Sequence, residues 1–206
     1  MKKLRIAVLV SGGGTNLQAL IDAQDDDYEI AVVISSTKDA YALTRAEKAS
    51  IPAIVASPYS VMGKEKASVA SLDAKRLAVS DRVLEIVKDY HCEAIVLAGF
   101  LTVLSGSIVQ EFSGRIINLH PALLPKFGGV GMWGHHVHEA VLAAKEKESG
   151  CTIHLVDSGC DTGEILLQKK VPVLEDDTPE TLYARIAPCE HSAMVEGVKI
   201  LAEKLR

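Results

Sequence analysis

The chain has 206 residues, a net charge of −5 and a hydrophobic fraction of 48%. That length fits a single α/β domain spanning residues 1–206, with a substantial core. The apolar runs, such as Ala94 to Ala98, are too short to cross a bilayer, and lysines and arginines are scattered without a basic stripe beside aromatics, which argues against nucleic-acid binding.

Leu4 to Val10 reads as a buried first strand. The charged Met1-Lys2-Lys3-Leu4-Arg5 resembles the start of a signal peptide, but Ser11-Gly12-Gly13-Gly14 interrupts the apolar run and leads into a helix. That helix is expected from about Asn16, capped by Thr15 with Gln18, and apolar on Leu17, Leu20 and Ile21. Ile30 to Ile34 is a second strand, Ala40 to Ala49 a second helix, and Ile54-Val55 a short third strand. Ser57 to Gly63 reads as a loop. A long helix is predicted from about Lys66 to Tyr90, with Val69, Leu72, Val79, Val83, Val87 and Tyr90 on one stripe.

Ala94 to Ala98 is wholly apolar, as a strand covered on both faces must be. Strands alternating with helices imply right-handed crossovers and a parallel sheet. Ile116-Ile117 leads a further strand toward Asn118 and His120, and Pro121, which cannot donate to a ladder, ends it. Phe127 to Gly134 carries four glycines and reads as a mobile loop, with Met132 and Trp133 plugging it onto the core. Val137 to Lys147 is helical; Cys151 to Val156 and Ile165 to Val173 are strands joined by a turn. Thr178-Pro179 starts a last helix that reaches about Leu205, with a kink at Pro188. The fold class is α/β: an open, mostly parallel twisted sheet with helices on both faces, mixed toward the C-terminal part. Cys92, Cys151, Cys160 and Cys189 contain no C-x-x-C pair and suit buried thiols in a reducing, cytoplasmic setting.

Four places could carry chemistry. Ser11 to Asn16 joins the first strand to the first helix, where backbone amides and the helix start can hold an anion. The spacing is not the dinucleotide G-x-G-x-x-G, because Leu17 takes the last glycine's place, nor is it a Walker loop. A tight turn with no ligand is the alternative. Asn118 and His120, two apart on a strand, project to one side. The amide can stabilise an oxygen gaining negative charge and the imidazole can move a proton, unless His120 is merely structural. Asp161, between Gly159 and Gly163, is either an Asx-turn residue or a carboxylate facing His120; in the second case it should raise the imidazole pKa. Glu190 falls on the inward stripe of the last helix with Leu182, Ile186, Met194, Val198, Leu201 and Leu205. A carboxylate there needs a partner, either a Lys or Arg or a substrate. His135, His136 and His138 lack metal-ligand spacing, so no metal is expected.

Together these segments resemble the phosphoribosylglycinamide formyltransferases, folate-dependent enzymes of purine synthesis. The resemblance rests on Val8 to Gln18, Leu97 to Leu101, Ile117 to Pro125, Thr152-Ile153-His154, Asp157, Asp161-Thr162-Gly163 and Glu190-His191. It implies a Rossmann-like formyltransferase fold and transfer of the formyl group of 10-formyltetrahydrofolate, a co-substrate, to the amine of glycinamide ribonucleotide. Asn118, His120 and Asp161 would be catalytic. Gly13, Gly14, Thr15, Asn16 and Glu190 would hold the ribonucleotide, so that Gly14→Val should weaken it more than the folate. Leu101, Thr102, Val103, Leu104, Asn118, Asp157, Ser158, Gly159, Cys160 and Asp161 would line the folate pocket, with Arg76 on the long helix. The partners are then small molecules, without nucleic acid or membrane, and the chain a monomer or homodimer. The segment Phe127 to His136 departs from the family's usual shorter loop. A formyltetrahydrofolate hydrolase and a non-catalytic phosphate- or nucleotide-binding protein are the alternative readings.

Overall fold

The computed structural model describes residues 2–206. Strands β1 (Leu4–Val10), β2 (Tyr28–Ser35), β3 (Ala53–Val55), β4 (Ala94–Leu97) and β5 (Ile116–His120) are parallel. Strands β6 (Glu148–Leu155) and β7 (Ile165–Pro172) add to them antiparallel. The seven strands lie in the order β3-β2-β1-β4-β5-β6-β7. The chain therefore fills the sheet outward from β1 in one direction, then returns to its other side with β4. The C-terminal ends of β1 and β4 form the crevice where such sheets bind ligands.

Alternate residues of β1 feed two cores. Ile6, Val8 and Val10 pack with α1 (Thr15–Asp22), α2 (Tyr41–Lys48) and the inward face of α8 (Pro179–Lys204). Ala7 and Leu9 face the opposite core with α5 (Leu72–Asp89) and α6 (Ser107–Glu111). From Ile6 to Val10 strand β1 is thus apolar at every position, because both faces are covered there. Among the described residues, no helix is long and apolar enough to cross a membrane. The four cysteines are free thiols, two buried and two half-buried.

Several boundaries differ from the sequence-based expectation. Helix α1 begins at Thr15 with Gly14 as its left-handed N-cap, so the Thr15–Gln18 capping pair does not form. Ser57 to Gly63 is not a plain loop: Ser57 and Ser60 cap each other at the start of α3 (Pro58–Met62), with Pro58 at its first position. The long predicted helix is two, α4 (Lys64–Val69) and α5, because Ala70 and Ser71 turn extended and the Ser71 hydroxyl caps the second. Val69 is consequently 86% exposed and off the stripe, and Leu72 is exposed too. Helix α7 (His135–Ala143) starts earlier than expected and stops short of Lys147, while β6 already begins at Glu148. Trp133 is 55% exposed, so it does not plug its loop onto the core. At the last helix, Thr178 caps, Pro179 stands at the first helical position and Pro188 lies inside.

Candidate active site

Strand β5 carries Asn118 and His120 to the sheet's C-terminal edge, beside β6 in a register that sets Asn118 against His154. The turn after β6 returns Asp161, at φ 58°, to the same place. Its two oxygens divide: Oδ2 lies 3.5 Å from His120 Nδ1, and Oδ1 lies 3.6 Å from His154 Nε2. The predicted meeting of amide, imidazole and carboxylate is therefore present, with His154 as a fourth member.

Each ring is anchored on its far side. His154 Nδ1 donates to the Leu155 carbonyl at 2.8 Å, so a neutral ring presents Nε2 as an acceptor. Asn118 Nδ2 donates to that nitrogen at 3.1 Å and keeps a second N–H for another acceptor. His120 Nε2 donates to the Phe127 carbonyl at 2.7 Å. The same loop reaches Asp161 directly, since the Gly129 amide donates to Oδ2 at 2.9 Å.

The charge state of His120 is not the one expected from the carboxylate alone. Burial lowers its pKa below the usual histidine value, and the nearby His154 adds to that; Asp161 and the Phe127 carbonyl pull upward without prevailing. A nearly inaccessible ring loses more by desolvation than it gains from an anion shared with another imidazole. Burial likewise presses the Asp161 carboxyl upward, but His154, the Gly129 amide and His120 outweigh it and hold the carboxyl below its ordinary value. The cluster combines an ionised Asp161 with a His120 biased toward neutrality.

The glycine loop lies at the end of β1, two strands from β5, or about 10 Å across the sheet. Its carbonyls are all occupied. Ser11 O accepts from the Thr37 hydroxyl at 3.1 Å, Gly12 O from the Ala42 amide at 3.1 Å, Gly13 O from Arg45 Nε at 2.8 Å and Gly14 O from the Gln18 amide at 2.9 Å. Among the described residues, the amides of Gly13, Gly14, Thr15 and Asn16 donate to nothing. Such a run of orphan donors at a helix start has the chemistry of an anion cradle. Gly14 has a packing role besides: at φ 71° a Cβ there would lie 2.6 Å from Ala42 Cβ. A Gly14→Val change would thus disturb the α1–α2 contact and cannot report on ligand affinity alone.

Behind the cradle, Glu190 is 5% exposed. Its partner is neither Lys nor Arg: Asn16 Nδ2 stands 3.5 Å away, and Asn16 Oδ1 is itself buried without a partner. Burial pushes the Glu190 carboxyl up to about 7, with the Asn16 contact opposing weakly. The ion-pair alternative is set aside, and the carboxylate is left facing the cleft end of α1.

On the other side of the cleft, the Leu101 amide donates to Ser11 Oγ at 2.9 Å, tying the segment after β4 to the glycine loop. Leu101 and Val103 are exposed, Thr102 is half-buried and Leu104 is buried. Asp157 does not project freely, because Oδ1 accepts from the Gly159 amide at 2.9 Å and from the Thr162 hydroxyl at 2.7 Å. Those bonds shape the turn through Ser158, Gly159 and Cys160, and hold the Asp157 carboxyl below its usual range. Arg76 pairs with Asp73 at 3.6 Å within α5, near enough to Cys160 for its charge to act on that thiol. His135, His136 and His138 open α7, where His136 meets Trp133 edge-on at 5.1 Å and His138 lies 5.7 Å from the Tyr183 ring. Sequence reasoning gave no role to His154, Arg45 or the Phe127 carbonyl; the only prior signal for His154 was its place in Thr152-Ile153-His154.

Known proteins resemble this chain in sequence and fold. A family model described as formyl transferase matches residues 4–198. The chloroplastic phosphoribosylglycinamide formyltransferase of Arabidopsis thaliana is 36% identical over 206 residues, covering 98% of this chain and 67% of that protein. The trifunctional purine biosynthetic protein adenosine-3 of Drosophila melanogaster is 42% identical over 205 residues, covering 97% of this chain but only 14% of the relative's length. The crystal structure of glycinamide ribonucleotide transformylase 1 from Symbiobacterium toebii superposes with a TM-score of 0.85 at 36% identity, covering 98% of this chain and 89% of that one. The chain belongs to the formyl transferase family.

Proposed function

We propose that this chain is a phosphoribosylglycinamide formyltransferase, moving the formyl group of 10-formyltetrahydrofolate to the amine of glycinamide ribonucleotide. The observation that carries the reading is the joint presence of two groups at the same edge of one sheet, on strands two apart. Four orphan amides suit a phosphate at the end of β1, and an amide–imidazole–carboxylate cluster suits acyl transfer at the end of β5.

In this reading the phosphate sits on Gly13, Gly14, Thr15 and Asn16, and Glu190 accepts from the ribonucleotide's donors. The folate lies against Leu101, Thr102, Val103 and Leu104, the turn from Asp157 through Ser158, Gly159 and Cys160 to Asp161, and Arg76. The substrate amine attacks the formyl carbon, and the carbonyl oxygen becomes an oxyanion. The free N–H of Asn118 receives it, and the His120 imidazole beside it stabilises the charge electrostatically. As negative charge grows there, it joins Asp161 in favouring a protonated His120, against the burial that keeps the free ring neutral. The attacking nitrogen loses a proton, the bond from carbon to the folate nitrogen breaks, and that nitrogen gains a proton with His120 assisting. No metal enters these steps.

The test is incubation with 10-formyltetrahydrofolate with and without glycinamide ribonucleotide. Amine-dependent release of tetrahydrofolate is expected. Release indifferent to the amine would point to a hydrolase, and no release would point to a binding protein.

A further inference from the structure

Two of the four orphan amides, those of Gly13 and Gly14, owe their direction to what the preceding carbonyls do on the other side. In a planar trans peptide, C=O and the following N–H point opposite ways. The Gly12 and Gly13 carbonyls both turn into α2, so the Gly13 and Gly14 amides turn out of it, toward open space: a Cβ built at Gly13 meets nothing within 4 Å. The Gly12 carbonyl is held by a backbone amide, but the Gly13 carbonyl is held by one side chain, Arg45, through Nε at 2.8 Å.

Arg45 is itself fixed on three sides. One terminal nitrogen donates to Gln18 Oε1 on α1 at 2.9 Å, and the guanidinium lies 5.0 Å from the centre of the Tyr41 ring. Only a planar guanidinium can bond the loop and the first turns of α1 at once while stacking on a ring. Its charge stands directly behind the cradle, half-buried, with no carboxylate within ion-pairing distance among the described residues.

We propose that Arg45 is a positioning residue for recognition of a phosphomonoester. It locks the Gly13–Gly14 peptide so that the amide faces the ligand, and it supplies the fixed positive charge behind that amide. This rests on the ribonucleotide-binding role proposed above, and it adds a residue from α2 that touches no substrate.

Ribose 5-phosphate and ribose are titrated calorimetrically into the full chain as wild type, Arg45→Met and Gln18→Met, with circular dichroism to check folding. The wild type should prefer the phosphorylated sugar. Arg45→Met should cut that preference by about tenfold or more, with binding of unphosphorylated ribose unchanged, as expected for loss of a charge-assisted contact. Gln18→Met, which removes one anchor of Arg45, should cut it by a smaller factor. A wild type indifferent to the phosphate, or an Arg45→Met chain that retains the full preference, overturns the inference. If Arg45→Met does not fold, an undiminished preference in Gln18→Met overturns it instead. Turnover of glycinamide ribonucleotide by the wild type, measured in parallel, separates the two readings. Lost preference in the variants without wild-type turnover sinks the formyl-transfer reading alone, and turnover with an unaltered preference sinks the Arg45 assignment alone.

Discussion

At the β5 end of the cleft, Asn118, His120, His154 and Asp161 already hold one another, and each ring is anchored to a carbonyl. At the β1 end, four amides, the buried Asn16 oxygen and a buried Glu190 have little or nothing to bind. The difference separates two tasks. Groups that act on a transition state gain from being oriented beforehand, because no reorganisation is then needed as charge develops. Groups that bind a polar substrate must keep their hydrogen-bonding capacity unspent, at a cost in stability that the ligand removes.

The comparison breaks most sharply at the cluster. His120→Ala and Asp161→Asn should each lower kcat by ~10²-fold or more; near-wild-type rates in both would take the pair out of the chemistry. At the opposite end, Glu190→Gln should raise the KM for the ribonucleotide by about tenfold, the cost of one charge-assisted contact, with kcat much less affected. A fall in kcat with KM unchanged would erase the proposed division of labour.

Glu190 also gives the comparison a pH axis. Its carboxyl pKa is raised to about 7 in the folded chain, above its unfolded value. Its protonated form therefore supports the fold fully at low pH, and that support is lost as pH rises from about 4.5 through about 7. Chemical denaturation should show the wild type losing on the order of 2–3 kcal/mol over that window relative to Glu190→Gln. Parallel stability curves would mean that the folded carboxyl titrates normally.

His154→Ala tests whether preorganisation matters in itself, since it removes the acceptor for Asn118 and one neighbour of Asp161. A drop of about tenfold in kcat is expected from loosening one hydrogen bond of about 1 kcal/mol or slightly more. An unchanged rate would make His154 a bystander. The smallest effect belongs to Gly14→Ala, where strain at φ 71° and the approach to Ala42 should cost roughly 1–3 kcal/mol of stability. A thermal melt matching wild type would show that α2 yields freely and that the cradle is less rigid than described.

Much of this was legible in the sequence, and what was legible has a common character. The bounds of β1, the apolar β4, the Thr178-Pro179 start of α8 and the glycine loop after the first strand all follow from local sterics and periodicity. Pairing Asn118 with His120 needed only the two-residue repeat of a strand. The misses have a common character as well. Ala70-Ser71 breaks a helical pattern without a Pro or Gly, and Thr15 yields its capping role because Gly14 can take the left-handed conformation that the contact with α2 requires. His154 and Arg45 act through residues 36 and 32 positions away in sequence, and nothing local announces such partners.

By itself the sequence determined the layered α/β architecture and which residue types stand at the strand ends, because backbone sterics and the burial of apolar faces act over a few residues at a time. Only the tertiary structure decided that His120 leans toward its neutral form, that Glu190 has no cationic partner, and that an arginine from α2 stands behind the glycine loop. Those outcomes depend on desolvation and on distances between elements, quantities that exist only once the layers have packed.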